Sequence, residues 1–206
     1  EISCSLVGSE MCIRDSPITS SIPSPYDGVR DKRIVAVNRL SQQKNLFMLL
    51  RAMKRVFDVF PEYILEIYGK GEQQEELEEY SKELKISDNV KFMGQKANVQ
   101  KYIVNASIFV SSSDYEGMSN SMLEAMAIGL PVVCTDCPIG GARMVIKNNI
   151  NGILTPVGDD RKFADEIIGL LKNPEKAKRL GKQASELREQ LNVKKIAKEW
   201  EKLLED

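Results

Sequence analysis

The most constraining feature of this sequence is the regular alternation of short apolar runs with longer segments of helical character. The apolar runs are rich in valine and isoleucine, which favours buried strands, and they lie at 34–37, 64–68, 90–92, 108–110, 131–134 and 152–154. Helical periodicity or helix-forming composition follows at 45–60, 72–84, 99–104, 119–128, 142–146 and 159–171. Such alternation with short links predicts a doubly wound parallel sheet, that is, a Rossmann-like α/β domain with C-terminal helices.

Proline and glycine mark where several of these segments begin and end. Pro61 ends the helix at 45–60, and Gly129 closes the helix at 119–128. Pro174 is placed to open a further helix. A last apolar stripe is formed by Ile196, Trp200, Leu203 and Leu204. In this stripe we expect Trp200 to be a packing anchor rather than a ligand contact.

Composition and charge exclude several classes of function. The chain has 206 residues, 42% hydrophobic and 29% charged, which suits one globular domain rather than two full α/β domains. Its net charge of -1 argues against non-specific nucleic-acid binding. The absence of histidine excludes Ser-His-Asp and Cys-His hydrolases within this chain. No apolar run approaches the ~20 residues of a membrane span.

Two of the four cysteines, Cys134 and Cys137, form a CxxC pair. A zinc site needs further ligands at suitable spacing, and the sequence offers none. A thioredoxin-like pair opens a helix, whereas this pair is followed by Pro138 and two glycines, which is typical of a strand end and a loop. We therefore expect free thiols and a cytoplasmic protein.

The first 32 residues differ from the remainder of the chain. Residues 1–15 show no periodicity and resemble a translated artefact of gene assembly, so we expect the natural protein to continue upstream with different residues. Residues 16–32 contain Pro17, Pro23 and Pro25 and are predicted to be a linker, which implies a further domain on its other side. The predicted α/β domain is 33–206.

Ligands of doubly wound sheets bind at the carboxyl ends of the strands, so the loops at 38–45, 69–72, 93–97, 111–119 and 135–142 are the candidate site. Arg39 and Lys44 follow the first predicted strand and precede a helix, a position that favours an anion such as phosphate. Gly69 and Gly71 would let the backbone approach a flat ligand closely, although a tight turn explains them equally.

The loop after the fourth predicted strand carries the strongest signal. Glu116 precedes the predicted helix, whereas Glu124 lies inside it among apolar neighbours, where a carboxylate is costly unless hydrogen-bonded. Two adjacent ribose hydroxyls would satisfy Glu124. Free amides at the start of the helix would form a phosphate cradle from Gly117, Met118, Ser119, Asn120 and Ser121.

Residues 33–206 resemble the C-terminal, donor-binding domain of glycosyltransferase family 4, whose members are retaining enzymes of the GT-B fold. The order and spacing of the shared motifs together are highly specific. These motifs are Arg39-Leu40 with Lys44, Gly69-x-Gly71, Val90-x-Phe92-x-Gly94, Glu116-x7-Glu124, Gly129-Leu-Pro131-Val-Val133, Asp136-Cys-Pro138, and Gly152-x-Leu154 before Pro156. The run at 136–143 is similar to that of bacterial transferases that build surface polysaccharides from UDP-sugars.

The resemblance implies roles for individual residues. Arg39 and Lys44 would bind the diphosphate of a nucleotide diphosphate sugar. Glu116 would contact the transferred sugar, and Glu124 would hold the ribose hydroxyls. The implied partner domain is an N-terminal, acceptor-binding domain that is missing from this chain, and through it the full-length protein would contact the inner face of the membrane.

The same resemblance places Met93 and Gly94 near the base, chiefly through backbone atoms. The sequence departs from the family pattern at Asn38, where glycine is usual, and at Met144, where Glu is common. Asn tolerates a left-handed backbone better than most residues, so we expect the turn at Asn38 to be kept. There is no Asp-x-Asp motif, so we expect a metal-independent reaction in which cations and amides stabilise the leaving diphosphate.

Three alternatives stay open at this point. A nucleotide-sugar epimerase shares the GT-B fold, although the pair Glu116 and Glu124 favours a transferase. A non-enzymatic module such as a receiver domain would need an acidic pocket after its first strand, whereas that loop is basic here. The chain could also be an incomplete gene product without independent activity, since we expect this fragment alone to be inactive.

Overall fold

In this computed structural model, the structure describes residues 22–193 together with Lys195 and Ala197. Six strands form one sheet: β1 (Arg33–Val37), β2 (Ile64–Tyr68), β3 (Val90–Gly94), β4 (Ile108–Ser111), β5 (Val132–Thr135) and β6 (Ile153–Thr155). Their order across the sheet is β3-β2-β1-β4-β5-β6, and every neighbouring pair is parallel. The predicted doubly wound sheet is therefore confirmed, including all six predicted strands.

The helices lie in the links between the strands and after the last strand. They are α1 (Leu46–Val59), α2 (Gln74–Glu83), α3 (Gln100–Ile103), α4 (Asn120–Ala127), α5 (Gly141–Val145), α6 (Asp160–Lys172), α7 (Pro174–Ser185) and α8 (Leu187–Gln190). A 3-10 turn, Gln42–Lys44, precedes α1, and Ser87–Asn89 precedes β3. The predicted stripe with Trp200 lies outside the described residues.

Helices cover both faces of the sheet, because successive strand residues point to opposite sides. On one face α1 packs on α6, and Leu49, Ile67 and Phe163 are buried in the same core. On the other face the short helices α3, α4, α5 and α8 cover a core that contains Phe109 and Leu123. The two cores fix the strand ends, and thus the loops that follow them.

A buried carboxylate lies within this framework at Glu66 on β2, which is 6% exposed. Arg33 donates to it at 2.8 Å, and the hydroxyl of Tyr68 donates to it at 2.9 Å. Burial and the neighbouring Glu66 raise the pKa of Tyr68 to about 12, so this hydroxyl stays a donor. Since both partners satisfy the carboxylate, we assign it a structural role.

The described part of the segment assigned to a linker, residues 22–32, packs against the domain. Ile22 is 6% exposed. The guanidinium of Arg30 donates to the carbonyl oxygens of Ala106 at 2.8 Å and Gly129 at 2.6 Å. Arg188 donates to the carbonyl of Pro23 at 2.6 Å. Proline-rich composition therefore does not prevent this segment from lying fixed along the amino edge of the sheet.

Candidate functional site

The strand order brings the predicted loops together at one edge of the sheet. Because β1 pairs with β2 on one side and with β4 on the other, the chain after β1 leads to α1 on one face of the sheet and the chain after β4 leads to α4 on the other face. The carboxyl ends of these two strands are the topological switch point at which doubly wound sheets bind ligands. The loops that follow β2, β3 and β5 begin at the same carboxyl edge of the sheet.

Lys44 and Glu116, which are 72 positions apart in sequence, meet at this point. The ammonium of Lys44 contacts Oε2 of Glu116, and the two side chains are 15% and 20% exposed. The hydroxyl of Ser113 donates to the same carboxylate oxygen at 3.3 Å. The sequence offered no signal for Ser113, which is buried and lies between β4 and Glu116. A partly buried cation and carboxylate thus form the centre of the site.

Arg39 does not join this pair. Its side chain is 74% exposed and faces Glu72 across the rim, with 3.6 Å between Nη2 and Oε2. An ion pair between such exposed side chains contributes little stability, so Arg39 is able to turn toward an anion in the cleft. The structure therefore brings Lys44 and Glu116 together and leaves Arg39 at the rim.

Gly69 and Gly71 allow a close approach between two backbone segments. A Cβ added at Gly69 would overlap the carbonyl of Asn38, and one added at Gly71 would overlap the carbonyl of Leu40. The amide of Leu40 also donates to the carbonyl of Lys70 at 3.1 Å. The close approach that these glycines permit is therefore that of the loop after β1, which they hold in place.

The chain bends at Asn38, but the backbone of Asn38 is not left-handed, so the bend does not use the left-handed conformation that asparagine tolerates. Left-handed φ values at non-glycine residues occur elsewhere, and the one in this loop is Asn45 with φ 44°. The side-chain oxygen of Asn45 accepts from the amide of Met48, so Asn45 combines the reversal of the chain with the cap of α1.

The N-terminus of α4, capped by Ser119, lies three residues after Glu116 along the chain. Ser119 caps this helix, because its hydroxyl accepts from the amide of Met122 at 3.4 Å. The hydroxyls of Ser119 and Ser121 are 3.1 Å apart. The amides of a first helical turn have no partner within the helix, so the stretch 117–121 offers donors and the positive end of a helix dipole to an anion.

Glu124 lies one turn further along α4 and is half-buried among buried apolar residues. Burial raises the pKa of Glu124, and a hydrogen bond from Gln100 on α3 opposes this shift. The sequence did not indicate Gln100 as a partner. The charged form of Glu124 is therefore held at a cost that a ligand with hydroxyl donors would reduce.

Gly94 and Met93 end β3 at the edge of the sheet. Gly94 has φ +65°, and a Cβ added there would contact nothing within 4 Å, so open space adjoins its backbone. Its carbonyl accepts from the amide of Gly69 at 3.0 Å. Met93 packs partly buried against the core under α4. These two residues thus flank the glycine loop on the side away from Lys44.

Both thiols of the CxxC pair are buried and free. Cys134 lies in β5 and Cys137 lies in the loop after it, as predicted. Burial raises the pKa of both thiols, which lowers their thiolate content and argues against redox reactivity. Among the described residues, no cluster of three potential metal-ligating side chains was found, and no helix is long and apolar enough to cross a membrane.

In the part of the chain that the structure describes, two cavities are candidate ligand sites. A small pocket beside the ion pair is lined by Ser111, Ser113, Glu116, Gly117, Ser119, Met122, Cys134, Thr135, Cys137 and Ala142. A larger cavity of about 750 Å³ lies at the amino edge of the sheet, between residues 25–30 and the helices α6 and α7. We assign the site to the carboxyl edge despite the smaller volume there, because it combines the ion pair, the helix N-terminus and the switch point.

Comparison with known proteins gives consistent results. Residues 26–187 match the family model of glycosyl transferases group 1. The chain is 29% identical over 199 residues to an uncharacterized glycosyltransferase of Methanocaldococcus jannaschii, covering 83% of this chain and 49% of that relative. It is 30% identical over 176 residues to the N-acetylgalactosamine-N,N'-diacetylbacillosaminyl-diphospho-undecaprenol 4-alpha-N-acetylgalactosaminyltransferase of Campylobacter jejuni, covering 85% of this chain and 47% of the relative. The chain thus spans about half the length of these relatives.

A solved structure extends the comparison to the fold. The chain superimposes with a TM-score of 0.81 and 25% identity on a variant of S. aureus TarM, covering 90% of this chain and 38% of TarM. That TarM crystal contains UDP, fondaparinux and alpha-GlcNAc-glycerol. The parallel six-stranded sheet described above is thus the Rossmann-like arrangement of GT-B glycosyltransferase structures.

The close approach at Gly71 can be tested by unfolding in urea. We expect Gly71→Ala to lower the free energy of unfolding by about 1–3 kcal/mol, since the new methyl must displace the Leu40 backbone. The control is Gly169→Ala in α6, where a Cβ meets nothing within 4 Å. This control should be stabilised by up to about 1 kcal/mol, because alanine is the better helix former. Equal stability of the two variants would contradict the packing described here.

The burial of Glu124 predicts a change in stability with pH. Burial raises the pKa of Glu124 in the folded state, so the folded protein favours the protonated carboxyl. The free energy of unfolding should therefore fall as pH rises through that pKa. At pH 7 we expect Glu124→Gln to raise the melting temperature by about 1–3 °C. The gain should shrink below about pH 4, where Glu124 is protonated in both states.

Glu79→Gln on the exposed face of α2 is the matched control for this experiment. It should have the same melting temperature as the unchanged chain at every pH. A melting temperature of Glu124→Gln below that of the unchanged chain at pH 7 would show that the carboxylate stabilises the free protein.

Proposed function

This chain belongs to the glycosyl transferases group 1 family, and we propose that it is the donor-binding half of a retaining glycosyltransferase of family 4. In the proposed reaction a sugar passes from a nucleotide diphosphate donor, UDP-linked, to a hydroxyl acceptor with retention of the anomeric configuration. The observation that carries the proposal is the contact between Lys44 and Glu116 shortly before the N-terminus of α4. It places a cation, a carboxylate and helix amides at one point of the switch region.

The diphosphate is the leaving group, so its developing charge has to be stabilised. Lys44 and the amides at 117–121 are proposed to hold the phosphate oxygens. Arg39, exposed and only loosely paired with Glu72, is proposed to turn inward and complete this set with a bidentate contact. These groups would replace the divalent cation that other transferases use, so the proposed reaction is metal-independent.

The two carboxylates take different parts in the proposal. Glu116 is proposed to face the transferred sugar beside the diphosphate and would orient the sugar in an oxocarbenium-like transition state. The acceptor hydroxyl would attack from the face that the diphosphate leaves. Glu124, half-buried one turn further along α4, would accept hydrogen bonds from the two ribose hydroxyls. The open backbone at Met93 and Gly94 would face the base.

The acceptor is proposed to bind to a second domain of the full-length protein. Support comes from the length of the chain, which covers 49% and 47% of the two relatives described above. Such a domain would position the acceptor and exclude water from the cleft. We therefore propose that this chain alone binds the donor without transferring the sugar.

Synthesis of a bacterial surface polysaccharide is the proposed setting. The Campylobacter jejuni relative acts, by its name, on a sugar carried by diphospho-undecaprenol. A lipid-linked acceptor of that kind would bring the second domain to the inner face of the membrane. The donor half described here needs no membrane contact in this proposal.

Binding of UDP tests the proposed function. We expect the 206-residue chain to bind UDP weakly, with a Kd of roughly 1 mM, about -4 kcal/mol, because in this proposal the second domain supplies the other wall of the cleft. Lys44→Met should weaken binding at least tenfold, about 1.4 kcal/mol, through loss of the phosphate contact. Excess chelator should leave the affinity unchanged. Titration followed by NMR or calorimetry measures each constant.

The matched control is Lys54→Met on α1, whose ammonium pairs with Asp58 at 2.6 Å away from the site. It should bind UDP as the unchanged chain does. Loss of binding in the presence of chelator, or equal affinities of the two methionine variants, would contradict the proposal.

A further inference from the structure

Besides the contact between Lys44 and Glu116, four hydrogen bonds join the loop after β1 to the loop after β4. Three of them involve backbone atoms: the Asp114 amide to the Gln43 carbonyl at 2.9 Å, the Gln43 side chain to the Tyr115 carbonyl at 2.9 Å, and the Ser112 hydroxyl to the Lys44 carbonyl at 2.7 Å. The fourth runs between side chains, from Nδ2 of Asn45 to Oδ1 of Asp114 at 2.6 Å. These bonds flank Lys44 on both sides along the chain.

Both polar atoms of the Asn45 side-chain amide form hydrogen bonds. Its oxygen accepts from the amide of Met48 at 3.2 Å and caps α1, whereas its nitrogen donates to the carboxylate of Asp114. An aspartate would cap the helix equally well and would tolerate the left-handed φ of 44°. An aspartate at position 45 would, however, place its carboxylate beside that of Asp114, and the two negative charges would repel each other. The side-chain amide at this position is therefore needed for the contact between the loops rather than for the cap.

We propose that Asn45 and Asp114 are positioning residues that set Lys44 against Glu116 in the donor site. Lys44 directly precedes Asn45, and Glu116 follows Asp114 by two residues, so the paired side chains fix the backbone that carries both ionic groups. Neither Asn45 nor Asp114 touches the donor in this proposal. The inference rests on the proposed function for its ligand, but the geometry that it describes belongs to the free protein.

The alternative is that the pair only supports the fold. A merely structural pair would change the melting temperature without a selective effect on Lys44 or on nucleotide binding. An exchange of the two side chains separates the cases, because Asn45→Asp combined with Asp114→Asn restores a donor, an acceptor and the helix cap. The single variant Asn45→Asp leaves the two carboxylates opposed.

The experiment compares the full chain with Asn45→Asp, with the exchanged double variant and with a matched control. The control is Asn173→Asp, since Asn173 caps α7 by accepting from the amide of Lys176 at 2.9 Å and lies far from the site. Asp114→Ala is added because it keeps the cap of α1 and tests the pair if Asn45→Asp does not fold. Thermal melts establish that each variant is folded at the temperature used.

Two quantities are measured on each variant. The first is the Kd for UDP by NMR titration, and the second is the rate at which the Lys44 amine is acetylated, relative to that of Lys54, by mass spectrometry. We expect Asn45→Asp and Asp114→Ala to weaken UDP binding at least tenfold and to speed the acetylation of Lys44 at least threefold. The double variant and Asn173→Asp should stay within about twofold of the unchanged chain in both measurements.

Unchanged acetylation of Lys44 in both Asn45→Asp and Asp114→Ala would overturn the inference, as would a double variant no better than Asn45→Asp. If the unchanged chain binds no UDP, the proposed function fails, and the acetylation rates alone then decide whether the pair positions Lys44. Faster acetylation of Lys44 together with unchanged UDP binding would overturn the positioning role for the donor.

Discussion

The site depends on the parallel pairing of β1 with β2 on one side and with β4 on the other. This pairing places the ends of β1 and β4 side by side, while the helices that follow them, α1 and α4, lie on opposite faces of the sheet, which leaves a cleft at the carboxyl edge. The loop after β1 then lies between two supports. Gly69 and Gly71 let its backbone approach the loop after β2, and the hydrogen bonds to 112–115 hold it to the loop after β4.

Within this frame the charges of the free protein are arranged to satisfy one another. Lys44 is neutralised by Glu116, and the buried Glu66 by Arg33. Glu124 is less well satisfied, because burial raises its pKa and the hydrogen bond from Gln100 opposes this shift without cancelling it. In the proposed function a bound donor separates Lys44 from Glu116, which costs free energy. New contacts offset this cost: Lys44 with the diphosphate, Glu116 with the sugar and Glu124 with the ribose.

Much of the fold could be predicted from the sequence, because each strand and helix is encoded by its own residues. The runs at 34–37 and 108–110 are apolar on both sides, and the face of α1 repeats every three or four residues, so local patterns were sufficient. Contacts between distant segments were not predictable in the same way. Gln100 and Arg30 act through partners far along the chain, and no local pattern marks them. The chain bends at Asn38 without a left-handed backbone, and the left-handed residue of this loop is Asn45, where the chain enters α1.

The central claim is that a nucleotide binds at the carboxyl edge and not in the larger cavity at the amino edge. The most direct test is to titrate the 15N-labelled chain with UDP in the presence of chelator and to map the amide shifts. The account predicts shifts at 38–45, at Met93 and Gly94, and at 117–124. Shifts confined to 25–30 and 174–185, the walls of the amino-edge cavity, would contradict it.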